Sequence, residues 1–308
     1  MQKSKYSWKS AWLNITEKCN LSCKYCFIRR FENKNKPRKD MSEEVAMASM
    51  EYLYDYGTEG MAISFFGGEP LLRFDLIKKI MVKYPSLLYM ISTNSIMLND
   101  EIVSFFASKK DFMHVILSID GNSDTQLLQR GKAVNERIIK KVFKKCYDHT
   151  ARMTVLNPDK AFKDIEYLYS LGARSITVNI PHNVILDDDY FIRMRKVKSR
   201  VLADKYLRDI TSLSKEPLGV LDKKKYTHCN PGEQYITITV DGDIYPCDLF
   251  ALHYKHKLGD VFNGIDGDCM NDFLIAMKEN KKEMCSLCIA EQMYDRDLAI
   301  HNWDIRKR

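Results

Sequence analysis

No run of eighteen apolar residues occurs anywhere in the 308-residue chain, so no segment is long enough to cross a bilayer as a helix. The opening stretch MQKSKYSWKSAWLNITEK lacks the apolar centre of a secretory signal. These two absences predict a cytoplasmic protein with no membrane partner, in a compartment that keeps thiols reduced. A third absence is local. The stretch CNLSCKYCF, 19–27, holds Cys19, Cys23 and Cys26 within eight positions and has no fourth cysteine. A closed zinc or iron–sulfur site ordinarily takes four protein ligands, so this loop leaves a coordination position open.

What is present fits a globular chain. Apolar residues make up 45% and charged residues 29%, enough for a sizeable core in one large domain or two smaller ones. Nine cysteines in a reducing compartment point to metal rather than to disulfides. They sort into Cys19, Cys23 and Cys26 near the start, Cys229, Cys247, Cys285 and Cys288 near the end, and Cys146 and Cys269 apart from both groups. The net charge of +7 weakly favours an anionic partner, and solvated helix faces account for it equally well. The basic stretch RRFENKNKPRK, 29–39, is the best local candidate for a functional patch, or else a mobile loop. No nucleic-acid partner is expected.

From residue 11 to 181, strand-like runs alternate with amphipathic helical stretches. The strands read as AWLNIT, MAISFF, SLLYMIS, MHVILSI, ARMTVL and RSITVNI. Between them lie SEEVAMASMEYLYDYG, with Ser42 as N-cap and Gly57 at its end, then LIKKIMVKY, DEIVSFFASKK, VNERIIKKVFKKCYDH and AFKDIEYLYSLG. Six β–α units build an α/β parallel sheet, predicted as a partial (β/α)6 TIM-like barrel, with a doubly wound sheet as the alternative. The division follows as a core over 1–182, a charged helical connector over 183–228, and a small C-terminal unit over 229–308. In that last unit QYITITV and DGDIYP form a hairpin, because Asp-Gly supplies positive φ, and DFLIAMKENKKE is a short helix leading into CSLC.

Cys19, Cys23 and Cys26 follow the first strand directly, at the edge where α/β barrels collect their chemistry. Thiolates are soft ligands that favour zinc or iron–sulfur clusters. Three of them hold three irons of a 4Fe–4S cube, leaving the fourth open to a ligand with an amine and a carboxylate. A zinc ion completed by a distant His or Cys is the alternative.

The C-x3-C-x2-C spacing with an aromatic at Tyr25 resembles the radical S-adenosylmethionine superfamily, and further segments agree at successive strand ends. FFGGEP resembles the Gly-Gly-Glu-Pro segment of that family, which implies Gly67 and Gly68 close to the methionyl group and Glu69 accepting from its ammonium. STNS resembles the Ser/Thr-Asn-Gly segment through Ser92 and Asn94, with Ser95 where Gly is usual. LSIDG is similar to the fourth strand end, implying cofactor contacts at Ser118 and Asp120. Arg130 resembles the arginine that follows and meets the methionyl carboxylate. TVNIP places Asn179 where the sixth strand flanks adenine. The resemblance spans residues 11 to about 290. It implies reductive cleavage of S-adenosylmethionine to a 5′-deoxyadenosyl radical that abstracts a hydrogen atom, with a reductant such as flavodoxin or ferredoxin supplying the electron.

Cys229, Cys247, Cys285 and Cys288 are enough to close a second site, by spacing alone either zinc or iron–sulfur. CNPGEQYITITVDGDIYPC ends in the Gly-x4-Cys seen in the SPASM and Twitch extensions of the superfamily. No cysteine follows Cys288, which resembles the shorter Twitch form with a single auxiliary 4Fe–4S cluster acting as an electron conduit. Asp248 stands where related maturases carry a carboxylate base, or it caps a turn. Cys146 reads as a core residue, Cys269 as a loop thiol or a hydrogen-atom donor, and His228 as structural.

Two substrates follow from the same chemistry. A peptide or small protein, as in ribosomal-peptide or sulfatase maturation, is favoured by the Gly-Gly-Glu-Pro, Asp-Gly and Pro-Cys-Asp segments. A small-molecule alcohol, as for an aminocyclitol dehydrogenase, is suggested by the Twitch-like cysteine spacing. Because the three-cysteine loop begins at residue 19, no folded leader-binding domain is expected before it. A non-catalytic iron–sulfur or zinc module is the reading of a different class.

Overall fold

The first strand shows how the frame is set. In β1, Ser10–Thr16, the residues Ala11, Leu13 and Ile15 are fully buried, while Trp12 and Asn14 on the opposite face are only partly covered. Side chains of period two therefore send one row against the helices and the other toward the inside of the sheet. The computed structural model describes residues 8–26, 28–29, 36–181, 186–213, 231–252 and 256–279.

Five further strands follow in parallel, each paired with the one before: β2 Ala62–Gly67, β3 Leu88–Thr93, β4 Met113–Ser118, β5 His149–Thr154 and β6 Ile176–Asn179. The intervening helices are α1 Glu43–Tyr56, α2 Phe74–Lys83, α3 Asp100–Ser108, α4 Ser123–Arg130, α5 Glu136–Lys145 and α6 Pro158–Ser170. Ser42 caps α1 as read, accepting from the Val45 amide, and the structure adds Asn99, which accepts from Ile102, and Asn135, which accepts from Ile138. Apolar rows from both layers meet in the core, where Phe65 stacks on Tyr89 with ring centroids 5.5 Å apart. Cys146 ends α5 as a buried core residue, as read.

Two differences extend the sheet. The 183–228 stretch is not helical throughout. After α7 Asp188–Ala203 and α8 Leu207–Ile210 comes β7, Thr211–Leu213, which pairs in parallel with β6. At the other end β8, Tyr235–Ile238, pairs in parallel with β1, and β9 Asp243–Tyr245, β10 Gly259–Asp260 and β11 Gly264–Ile265 continue antiparallel. The hairpin of the C-terminal unit is thus continuous with the barrel sheet, through long-range pairing that local pattern does not reveal. Among the described residues the sheet has eleven strands, ordered β11-β10-β9-β8-β1-β2-β3-β4-β5-β6-β7, and it does not close. α9 Asp248–Leu252 and α10 Gly267–Glu279 complete the elements, the latter starting earlier than the sequence suggests.

Like the short α9, α4 is a helix the sequence reading misses. Asn122 caps it, and Gly131 ends it at φ 82°, in the left-handed region where glycine is unstrained. Its buried face is polar, formed by Thr125, Gln126, Gln129 and Arg130, whereas Leu127 and Leu128 are each 56% exposed. An inverted pattern of this kind hides a helix from any search for inward apolar residues.

Candidate active site

The carboxyl ends of β1 and β2 are joined through backbone. Gly68 N donates to Thr16 O and Glu69 N to Lys18 O, both at 2.8 Å. A Cβ at Gly67 would lie 2.1 Å from Thr16 O, and one at Gly68 would lie 2.1 Å from Lys18 O. Both glycines are therefore required by the approach of the chain that enters the three-cysteine loop. That reason is internal to the protein and differs from closeness to a ligand, although both also line the cavity described below.

Glu69 ties this junction to the end of β3. Its Oε1 accepts from Thr93 Oγ1 at 2.7 Å and from the Leu71 amide at 3.1 Å, and its Oε2 accepts from the Asn94 amide at 2.7 Å. Burial pushes its pKa up to about 7, against the opposing pull of those hydrogen bonds. Asn94 in turn donates to Asn20 Oδ1 at 2.7 Å and approaches Cys19 Sγ at 3.8 Å. The turn after it stands with Ser95 at φ 70°, a conformation that disfavours any side chain, and among the described residues the buried Ser95 Oγ has no hydrogen-bond partner. Ser95→Gly is expected to raise stability by about 1 kcal/mol, measured by urea denaturation. A loss of stability would contradict the strain.

A second buried hub lies behind the loop. Asp120 accepts from Tyr25 Oη at 2.5 Å, from Arg130 Nε and Nη2 at 2.9 Å each, and from the Thr154 amide at 2.9 Å. Its side chain is 0% exposed and that of Arg130 is 8%. These four bonds fill the acceptor positions of a carboxylate. Asp120 and Tyr25, expected among the cofactor contacts, are thereby committed to each other and to Arg130. The Arg130 guanidinium also lies 5.3 Å from the centroid of the Tyr25 ring. Burial and the neighbouring Asp120 raise the Tyr25 pKa, opposed by Arg130. The Lys24 amide donates to Gln129 O at 3.0 Å, so α4 holds the three-cysteine loop from outside while its Arg130 anchors the hub.

Cys19, Cys23 and Cys26 line one cavity of about 360 Å³ together with Asn14, Gly67, Gly68 and Asp248. The cavity brings the loop after β1 and the turn after β9 face to face. Asp248 Oδ1 accepts from Asn14 Nδ2 at 3.2 Å, and burial pushes the Asp248 carboxyl up to about 7. Asn14 is a site residue the sequence reading misses, and the Asn in AWLNIT, one position in register from the buried row, is the signal that was there. The basic stretch reaches the same cavity through Lys36, Arg38 and Lys39. Lys39 binds both oxygens of Asp241 at 2.9 Å, fastening it to the β8–β9 turn. Burial raises the Cys19 thiol pKa and pushes Cys23 up to about 11.

The remaining positions divide. Ser92 and Ser118 lie on the partly covered inner faces of β3 and β4, and Asn179 ends β6, where its carbonyl accepts from the Val155 amide at 2.9 Å. Cys247 is half-buried against the core, and its carbonyl accepts from the Ala251 amide. Cys269 is exposed on α10. Cys229, Cys285, Cys288 and His228 lie outside the described residues. Among the described residues, no three His, Cys, Asp or Glu side chains converge on a single-ion site. Three thiolates on one loop suit a cubane, in which each binds a different iron. The donor set and the shared cavity therefore accommodate a cluster held by three thiolates.

An open α/β barrel with a three-thiol loop at the carboxyl end of its first strand defines an iron–sulfur protein. Residues 13–179, more than half of the chain, match the radical SAM superfamily, and residues 229–289 match the SPASM iron–sulfur cluster-binding domain. The chain belongs to the radical SAM superfamily. Its cofactors are accordingly a 4Fe–4S cluster and S-adenosylmethionine, with auxiliary iron–sulfur binding in the SPASM region. An uncharacterized protein of Methanocaldococcus jannaschii is 29% identical over 256 residues, covering 76% of this chain and 83% of the relative. Among solved structures, anSMEcpe with bound AdoMet and Kp18Cys peptide superposes with a TM-score of 0.68 at 19% identity, over 89% of this chain and 82% of that one. Streptococcus suis SuiB bound to precursor peptide SuiA gives 0.67 at 16% identity, over 87% and 67%. Both likenesses confirm the partial-barrel fold. No helix among the described residues is long and apolar enough to cross a membrane.

Proposed function

We propose that the chain abstracts a hydrogen atom from a peptide or small protein and passes the remaining electron to a single auxiliary 4Fe–4S cluster held by Cys229, Cys247, Cys285 and Cys288. When bound, the first cluster and S-adenosylmethionine supply a reductively generated carbon radical. The residues of the chain do the rest. Cys19, Cys23 and Cys26 hold the cluster and leave one iron open. Ser92, Asn94, Ser118 and Asn179 line the inner strand ends and orient the nucleotide. Asp248, steadied by Asn14, takes the proton that the substrate releases as it is oxidised.

One observation carries this reading: the three thiols and Asp248, from opposite ends of the chain, share a single cavity. The presence of peptides in the structures of anSMEcpe and SuiB supports a peptide as substrate. The core over 1–182, the connector over 183–228 and the cluster-bearing unit over 229–308 are the proposed functional divisions, with the strand contacts described above joining the first and last. A reductant such as flavodoxin or ferredoxin supplies the electron.

The test is an anaerobic incubation with dithionite, S-adenosylmethionine and the short peptides encoded beside the gene. Peptide-stimulated 5′-deoxyadenosine and a peptide lighter by two hydrogens are expected. Asp248→Asn is expected to keep 5′-deoxyadenosine formation and lower modified peptide by about 100-fold or more. Stimulation by sugars or cyclitols alone would overturn the peptide assignment.

A further inference from the structure

The cavity that holds the three thiols and Asp248 is also lined by Arg29, Lys36, Arg38 and Lys39. These bases come from the stretch 29–39, which carries six bases against one acid. Arg29, Lys36 and Lys39 are exposed, which puts them on the solvent side of the cavity. The far end of the stretch is fixed. Glu17 N donates to Lys39 O at 2.9 Å, Lys39 N donates to Glu17 Oε2 at 2.9 Å, and Asp40 forms an antiparallel bridge with Thr16. Lys39 Nζ then reaches both oxygens of Asp241. The end of β1 and the β8–β9 turn therefore hold this basic edge at the opening.

The acids of the lining have partners within the chain. Asp241 has Lys39, Asp243 lies 2.5 Å from Lys257 Nζ, Asp248 accepts from Asn14, and Glu17 accepts from the Lys39 amide. With Lys257 counted, five bases stand against these four acids, so the excess is positive. Much of the remaining wall is apolar, with Leu21, Ile28, Phe66 and Leu252. Walls of low dielectric constant focus the field of charges at an opening. The stretch 29–39 has no glycine, and so lacks the glycine turns that let backbone amides cradle a phosphate. Side-chain bases spaced along a chain suit carboxylates spaced along a chain.

We propose that this basic edge recognises acidic side chains of the peptide substrate, placed within about three residues of the one that reacts. The inference rests on the reading of the cavity as a peptide site and adds which peptides enter it. The spacing follows from size. A compact space of about 360 Å³ is roughly 9 Å across, which an extended chain covers in about three residues.

The experiment measures fluorescence anisotropy of dye-labelled peptides with the anaerobically reconstituted protein, without turnover. The peptides share a glycine frame around one leucine and differ in the residues flanking it, which are glutamate, glutamine or lysine. A further peptide carries the glutamates beyond a long glycine spacer, and inorganic triphosphate serves as competitor. The glutamate peptide is expected to bind about 10-fold tighter than the glutamine peptide, and to lose that advantage at high salt. The spaced version should bind like the glutamine peptide. Combining Arg29→Glu, Lys36→Glu and Arg38→Glu should reverse the order, so that the lysine peptide binds about 10-fold better than the glutamate peptide. That gain also shows the variant to be folded. The milder combination of Arg29→Gln, Lys36→Gln and Arg38→Gln should bring the glutamate peptide to the level of the glutamine peptide. Equal binding of those two peptides by wild type, binding of neither, or an unchanged order in both variants overturns the proposal. Displacement by triphosphate at concentrations far below those of the peptide also overturns it, because the edge would then be a phosphate site. The functional reading fails on a different result, formation of 5′-deoxyadenosine by wild type with sugars or cyclitols alone.

Discussion

Replacing Cys19, Cys23 and Cys26 together with alanine is expected to reduce dithionite-driven 5′-deoxyadenosine to the background of the assay. Iron content should fall by about four per chain, leaving the auxiliary cluster in place. The reason is coordination rather than folding. The three thiols are only partly buried and line a cavity, so their loss removes ligands without opening the core. Global unfolding by urea should therefore shift little for the apoprotein. Persistent cleavage in the triple variant would mean that the loop does not hold the reacting cluster.

The second large effect is on stability. Arg130→Met is expected to destabilise the protein by about 3–5 kcal/mol, because it leaves the Asp120 carboxylate buried and deprived of its counter-charge. Tyr25 and the Thr154 amide remain as donors, yet neither carries a charge. The side chain of Asp120 is 0% exposed, so solvent does not replace the missing guanidinium. Urea denaturation reads the loss directly. A variant of wild-type stability that has merely lost nucleotide affinity would return Arg130 to the cofactor and refute the hub.

Comparison of sequence and structure shows which physical signals are local. The alternation of β1 to β6 with their helices was legible, because each element announces itself by period and cap within its own residues. Ser42 is such a cap. α4 was not legible, since it buries glutamines and an arginine and exposes Leu127 and Leu128. β7 escaped because three residues carry too short a pattern, and the pairing of β8 with β1 escaped because register between distant segments is set by assembly.

The site divides in the same way. The three-cysteine loop was legible as chemistry, since residue type and spacing suffice there. Hydrogen-bond saturation was not, and it separates residues of similar appearance. The mutual bonding of Asp120 and Arg130, ten positions apart, is seen only in the structure. Asn14, a polar strand residue, gains its meaning only from meeting Asp248 in one cavity.

The central claim is that one iron of the cluster on Cys19, Cys23 and Cys26 is left free for the amine and carboxylate of S-adenosylmethionine. The most direct measurement is electron–nuclear double resonance of the reduced wild-type protein, loaded with S-adenosylmethionine carrying nitrogen-15 in its amino group. A nitrogen-15 coupling large enough to require direct bonding to the cluster is predicted, and it should vanish in the triple alanine variant. A reduced cluster on that loop with no such coupling would contradict the account.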